Sequence, residues 1–127
     1  MIGENGLQTL LELWQVSELS LSDFEYIRNS LLRTKDYFNS NLVSKTFKKC
    51  SPSGVVAVLL FDNGELSLHT WPEKSYAAFD IYTYGSNTPS KIIKYLLDTF
   101  KSKKYHMLTI ERGLLNDRMQ IKKDEVF

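Results

Sequence analysis

Residues 53–85, SGVVAVLLFDNGELSLHTWPEKSYAAFDIYTYG, decide the architecture of this chain. They hold three strand signals in succession. Residues 55–61 are a continuous apolar run, the kind of strand that is buried on both faces or lies under a helix. Residues 65–70 return as a second strand, which Trp71-Pro72 ends, and residues 76–84 form a third. Asp62-Asn63-Gly64 separates the first two. Asn-Gly between two strand patterns is the strongest short-range hairpin signal, because both residues of such a turn take positive φ.

The flanks extend this meander. Residues 6–16, GLQTLLELWQV, read as a first strand. Ser22-Asp23-Phe24-Glu25 reads as a capping box, with a hydroxyl at the N-cap and a carboxylate three residues on. The helix that it opens carries Phe24, Ile27 and Leu31 on one face, and Asn39-Ser40-Asn41 breaks it. Residues 42–47 alternate as a further strand, and Ser51-Pro52-Ser53-Gly54 is a turn. Thr88-Pro89 supplies N-cap and N1 of a second helix, with Ile92, Ile93, Leu96, Leu97 and Phe100 toward the core. Residues 105–112 make a last strand, and the tail from about 114 is polar and poorly specified. The expected fold is α+β: one domain over residues 1–127, a two-layer sandwich with an antiparallel sheet and both helices on one face. Val43, Val55, Ala57 and Leu59 are read as spread over both strand faces, which predicts that the second face is buried too.

Bulk properties narrow the function classes. At 127 residues, with 43% hydrophobic and 24% charged, the chain has enough for one core and is not a disordered polymer. A net charge of +1 gives no general reason to expect nucleic acid or an anionic membrane as partner. Lys101, Lys103 and Lys104 follow a helix end, where cations are favoured, and read as a solvated face. The single cysteine, Cys50, excludes an internal disulfide and suits a reducing compartment. No apolar run approaches the ~20 residues of a membrane span. A cytoplasmic protein is expected.

The central motifs resemble the small bacterial and archaeal S-adenosylmethionine decarboxylases. His69-Thr70-Trp71-Pro72-Glu73 matches that family's HTWPE without change, and Tyr76–Gly85 matches its YAAxDxxTCG except at one residue. Residues 47–55, FKKCSPSGV, resemble the family's aromatic, basic pair, Pro and Gly-Val pattern. The resemblance runs from about Gly6 to Gly113 and implies the family's two-layer fold. Members of the family cut a Glu-Ser peptide bond and turn the serine into a pyruvoyl cofactor. Spacing from Gly54 to His69 without a gap sets Asn63-Gly64 at that bond. Glycine has no side-chain oxygen to form the ester that precedes cleavage, so the resemblance implies an unprocessed variant. Tyr84 stands for the cysteine that protonates the product, Val56 for a serine that assists processing, and Cys50 for an aromatic that packs on adenine. His69, used in processing, and Glu73, which holds the ribose hydroxyls, are retained.

A retained nucleoside frame without the cofactor implies cofactor-free chemistry on S-adenosylmethionine or an adenylated derivative (SAM-AMP). The reaction expected is that of the lyases known from phages and from some type III CRISPR defence systems, in which the substrate's own carboxylate displaces methylthioadenosine and closes homoserine lactone. Tyr84, His69 and Glu65 are the catalytic candidates. Glu73, Trp71, Tyr82, Asn63, Gly64, Cys50 and Glu12 are the substrate-binding candidates, and no metal or cofactor is expected. Glu73 can accept two hydrogen bonds from vicinal hydroxyls, and aromatic faces attract a sulfonium. Two alternatives stay open: a catalytically inactive binding or regulatory subunit, and another reaction on a related adenosyl ligand. By family analogy the protein is a homo-oligomer, dimer or trimer, with its site near the interface.

Overall fold

The computed structural model describes residues 6–85 and 88–127. Seven strands form one antiparallel sheet: β1 (Gly6–Trp14), β2 (Leu42–Cys50), β3 (Gly54–Phe61), β4 (Gly64–Trp71), β5 (Tyr76–Tyr84), β6 (Lys104–Arg112) and β7 (Gln120–Val126). Their order is β2-β3-β4-β5-β1-β6-β7. The meander β2 to β5 is sequential, as the turn signals require. β1 then inserts between β5 and β6, where its apolar side chains meet neighbours on both sides.

Three helices, α1 (Glu18–Ser22), α2 (Phe24–Leu32) and α3 (Ser90–Phe100), cover one face. The core lies between them and every second residue of the inner strands. Leu11 and Leu13, Val55, Ala57 and Leu59, Leu66 and Leu68, and Phe79 and Ile81 are all buried there. Phe38 stacks on Phe61 at 3.9 Å between centroids, and Phe100 meets Phe79 edge-on at 5.6 Å. Each such side chain contributes roughly 1.5–3 kcal/mol on leaving water. Thr70 ties the layers together: its Oγ1 donates to the Leu21 carbonyl at 3.0 Å and accepts from the Val55 amide at 2.9 Å.

Several local expectations are corrected. Val55, Ala57 and Leu59 all point to the helices, since residues two apart share a face. The other face carries Val56, Val58 and Leu60, and no element among the described residues covers it; Val58 is 42% and Leu60 45% exposed. Ser22 is no N-cap. Its hydroxyl donates back to the carbonyls of Glu18 and Leu19 and closes α1, an element without a sequence signal. Asp23 caps α2 instead, accepting from the Tyr26 amide at 3.0 Å. α3 begins one residue later than Thr88-Pro89 suggests, at Ser90. β1 stops at Trp14 because Gln15 takes φ 57°.

The tail is also a strand. β7 pairs with β6 and is tied by reciprocal backbone bonds between Tyr105 and Phe127 at 2.8 and 2.9 Å. It is exposed on a sheet edge, so it has no apolar alternation to betray it. Its lysines and carboxylates suit an edge that must not recruit another strand. No helix among the described residues is long and apolar enough to cross a membrane.

Candidate functional site

The uncovered sheet face gathers the polar and aromatic side chains. Cross-strand register sets Glu65 beside Tyr82, His69 beside Ala78 and Trp71 beside Tyr76. It sets Glu12 beside both Ala78 and His106. By the two-residue period of a strand, Glu12, Trp14, Glu65, His69, Trp71, Tyr76, Asp80, Tyr82 and Tyr84 share this face. Sequence reasoning counted Tyr76 among the aromatics suited to a sulfonium but missed Trp14 and Asp80 as site members. Their signal was the same parity that sets Glu12 and Tyr82 here.

One group forms where β4 ends. Cys50, His69, Trp71 and Glu73 border a cleft of about 170 Å³, together with Pro52 and Val56. Pro72 and the short 3-10 turn over Pro72–Lys74 bring exposed Glu73 back beside the strand. An aromatic row runs along this end: His69 against Trp71 at 6.0 Å, Trp71 against Tyr76 at 5.2 Å, and Tyr76 against Trp14 at 4.2 Å. The rings are within 27° of parallel and stack on one another, so a flat ligand adds only at an end of the row. Burial pushes the Tyr76 phenol above its ordinary value, and the nearby Glu12 and Asp80 carboxylates raise it further.

A second group forms where β4 begins. Asn63, Gly64, Glu65, Tyr82 and Tyr84 border an open depression of about 370 Å³. The Tyr82 ring has the Arg112 guanidinium above it at 5.3 Å, and Arg112 in turn donates to Gln8 Oε1 at 3.2 Å. The Tyr82 phenol lies over Gly6, where a β-carbon would come within 2.1 Å of its oxygen.

The expected site residues thus share a face but fall into two groups. At a rise of roughly 3.3 Å per residue, His69 and Glu65 stand about 13 Å apart along β4. Glu12 belongs with the first group, through Tyr76. Within one chain, the catalytic candidates Tyr84 and Glu65 do not meet His69 or Glu73. Among the described residues no three His, Cys, Asp or Glu side chains gather as a metal ion would need.

The hairpin at the second group departs from the Asn-Gly expectation. Phe61 pairs with Gly64, so the two turn residues are Asp62 and Asn63, and neither they nor Gly64 has positive φ. The turn leans on the segment before β2 instead. The Asp62 amide donates to the Asn41 carbonyl at 3.0 Å, the Asn63 amide to Ser40 Oγ at 3.3 Å, and Asn41 Nδ2 to Asp62 Oδ2 at 3.1 Å. Gly64 is the first residue of β4, and what it supplies is space. A β-carbon there would stand 2.3 Å from the Tyr82 carbonyl oxygen and 2.9 Å from Phe38 Cε1.

A family model described as S-adenosylmethionine decarboxylase matches residues 7–113. The chain belongs to the S-adenosylmethionine decarboxylase family. An S-adenosylmethionine decarboxylase proenzyme of Thermococcus gammatolerans is 39% identical over 98 residues, covering 76% of this chain and 68% of the relative. The proenzyme 2 of Bacillus cereus is 30% identical over 110 residues, covering 86% and 89%. The crystal structure of the adenosylmethionine decarboxylase of Aquifex aeolicus superposes with a TM-score of 0.79 at 30% identity, over 90% of this chain and 95% of that one. The fold expected from the motifs is therefore the one found.

A pyruvoyl group does not fit this member of the family. Position 64 has no hydroxyl to convert, and the Tyr82 carbonyl and Phe38 ring fill the space that any side chain there would enter. The neighbouring Thr83, paired with Gly64, is fully buried, and its Oγ1 has no hydrogen-bond partner among the described residues.

Proposed function

We propose that this chain binds S-adenosylmethionine or its adenylated conjugate and cleaves it as a cofactor-free lyase. One observation carries the reading. The position of the self-processing serine is closed, while the Glu73, Trp71 and His69 cleft stays open on the uncovered face.

The reaction needs no pyruvoyl group. The substrate carboxylate oxygen attacks the γ-carbon of the methionine tail, and a new C–O bond closes a five-membered ring. The C–S bond breaks, its electron pair returns to sulfur, and the sulfonium leaves as a neutral thioether. The carboxylate is already ionised, so no base is required. Holding the tail in a near-attack geometry supplies about 7–11 kcal/mol. Glu73 accepts from the ribose hydroxyls, and the free end of the aromatic row beside His69 and Trp71 meets the base or the sulfonium. The Tyr82 and Tyr84 phenols donate to the carboxylate end, and Glu65 pairs with the substrate ammonium.

Those two sets stand about 13 Å apart along one strand, so a complete site uses two copies. A homo-oligomer whose open faces meet in opposite directions sets the Glu73 group of one protomer against the Tyr84 group of the next. The neighbouring exposed apolar side chains Val58 and Leu60 on β3 support such burial.

The separation also favours a second reading. A chain that holds half-sites serves equally as the non-catalytic partner of an active decarboxylase. Incubation of the purified protein with each substrate, followed by mass spectrometry, tests the proposal. Methylthioadenosine or its AMP-bearing form, with homoserine lactone, is the expected product. Intact substrate in both reactions, with binding retained, sinks the lyase and leaves the partner role.

A further inference from the structure

A further cleft lies outside both groups, apart from Trp14, which it shares with the first. It is a cleft of about 900 Å³ between the end of the sheet and the helix layer. Four lysines line it, Lys74, Lys101, Lys103 and Lys104, against one carboxylate, Glu18. They come from separate parts of the chain: Lys74 from the turn after β4, the others from the α3–β6 connection and the start of β6. None of the four forms an ion pair with a described carboxylate. The solvated helix end read from sequence is thus one wall of a basic cleft. The whole chain carries only +1. A local excess of three positive charges in a concavity is therefore a feature of placement, not of composition.

The backbone around the cleft is unusual as well. Five non-glycine described residues take positive φ, and three of them, Gln15, Ser75 and Lys101, border this cleft. Such conformations persist only where the surroundings impose them. Here the imposing contacts are the Val16 amide on the Ser75 carbonyl at 3.1 Å and the Lys101 amide on the Leu97 carbonyl at 3.0 Å. Ser102 fixes the lysine-bearing connection: its Oγ is 2.9 Å from the Trp14 carbonyl and 2.7 Å from that of Lys104. Trp14 borders the cleft and stacks on Tyr76 at 4.2 Å, so its indole is held in one orientation.

We propose that this cleft is a binding site for a phosphoryl anion, held by Lys74, Lys101, Lys103 and Lys104 beside Trp14. Ammonium groups bind phosphate oxygens as mobile point charges, and four of them from two fixed segments suit a ligand with more than one phosphoryl oxygen. An indole at the rim suits a phosphate that carries a base. The inference goes beyond the lyase reading and does not depend on it.

Titration calorimetry of the 127-residue chain with inorganic pyrophosphate and with AMP, at low and at about 0.15 M ionic strength, tests the site. Saturable 1:1 binding of at least one probe that weakens with salt is expected. K101S/K103S/K104S should weaken it about tenfold or more. K91S/K94S, on the exposed side of α3, should leave it unchanged. Tighter binding of AMP, lost both in the triple lysine variant and in Trp14→Phe, would assign a nucleotide; tighter binding of pyrophosphate would assign an inorganic phosphate. No binding of either probe, or equal loss in both lysine variants, overturns the proposal. Circular dichroism confirms that each variant is folded.

Discussion

Gly64 lies against the backbone of the neighbouring strand so closely that a β-carbon on it would meet the Tyr82 carbonyl oxygen at 2.3 Å. Backbone on a central strand pair yields little. Gly64→Ser should destabilise the protein by roughly 1–3 kcal/mol, the usual cost of overpacking. It should also leave a single chain by intact-mass measurement, because no glutamate precedes position 64. Unchanged denaturant midpoints together with two fragments would contradict the geometry.

Glu73 is exposed in the cleft with His69 and Trp71. Glu73→Gln keeps its size and removes its charge. Hydrogen bonds to charged groups contribute about 1.5–3 kcal/mol. Affinity for the adenosyl ligand should therefore fall on the order of tenfold or more in calorimetry. Equal affinity would remove the ribose role.

The two-copy site has a mixing test. Glu73→Gln and Tyr84→Phe each damage one half-site. Mixed protomers should regain activity that neither variant has alone, since one interface then holds two intact halves. A mixture as inactive as its parts would place the whole site within one chain.

Thr83 carries a buried hydroxyl without a partner among the described residues. Leaving such a group unpaired costs about 1–3 kcal/mol. Thr83→Val, nearly the same shape, should leave stability unchanged or raise it by about 1 kcal/mol. A clear loss in thermal unfolding would show that the hydroxyl has a partner.

β7 is held through side chains that titrate. Tyr105 donates to Glu125 Oε1. That bond, with Lys123, holds the Glu125 carboxyl below its ordinary 4.5. The same bond, then burial, pushes the Tyr105 phenol above 10.0. A lowered carboxylate contributes stability that is present above 4.5 and lost as pH falls through the lowered value. A raised phenol contributes stability that is present below 10.0 and lost as pH rises through the raised value. Amide-exchange protection of β7, corrected for intrinsic rates, should hold between these limits and decline at both ends. Glu125→Gln should flatten the acid limb.

The meander of β3, β4 and β5 and the α3 core face were legible in the chain itself. Each rests on neighbours in sequence: strand alternation, a Trp-Pro stop, helical spacing. The family motifs added the fold, because HTWPE and YAAFD fix strand register. What the sequence could not supply lies in contacts between distant segments. The hairpin centre moved one residue, to Asp62-Asn63, because Ser40 and Asn41 bind it. Tertiary structure alone turned Gly64 from a turn residue into a packing gap under Tyr82 and Phe38. It alone separated Glu65 from His69, since one strand sets both on a shared face but holds them several residues apart. It also brought Lys74 to Lys101, Lys103 and Lys104. Local periodicity specifies elements; which faces meet is set by burial of side chains far apart in the chain.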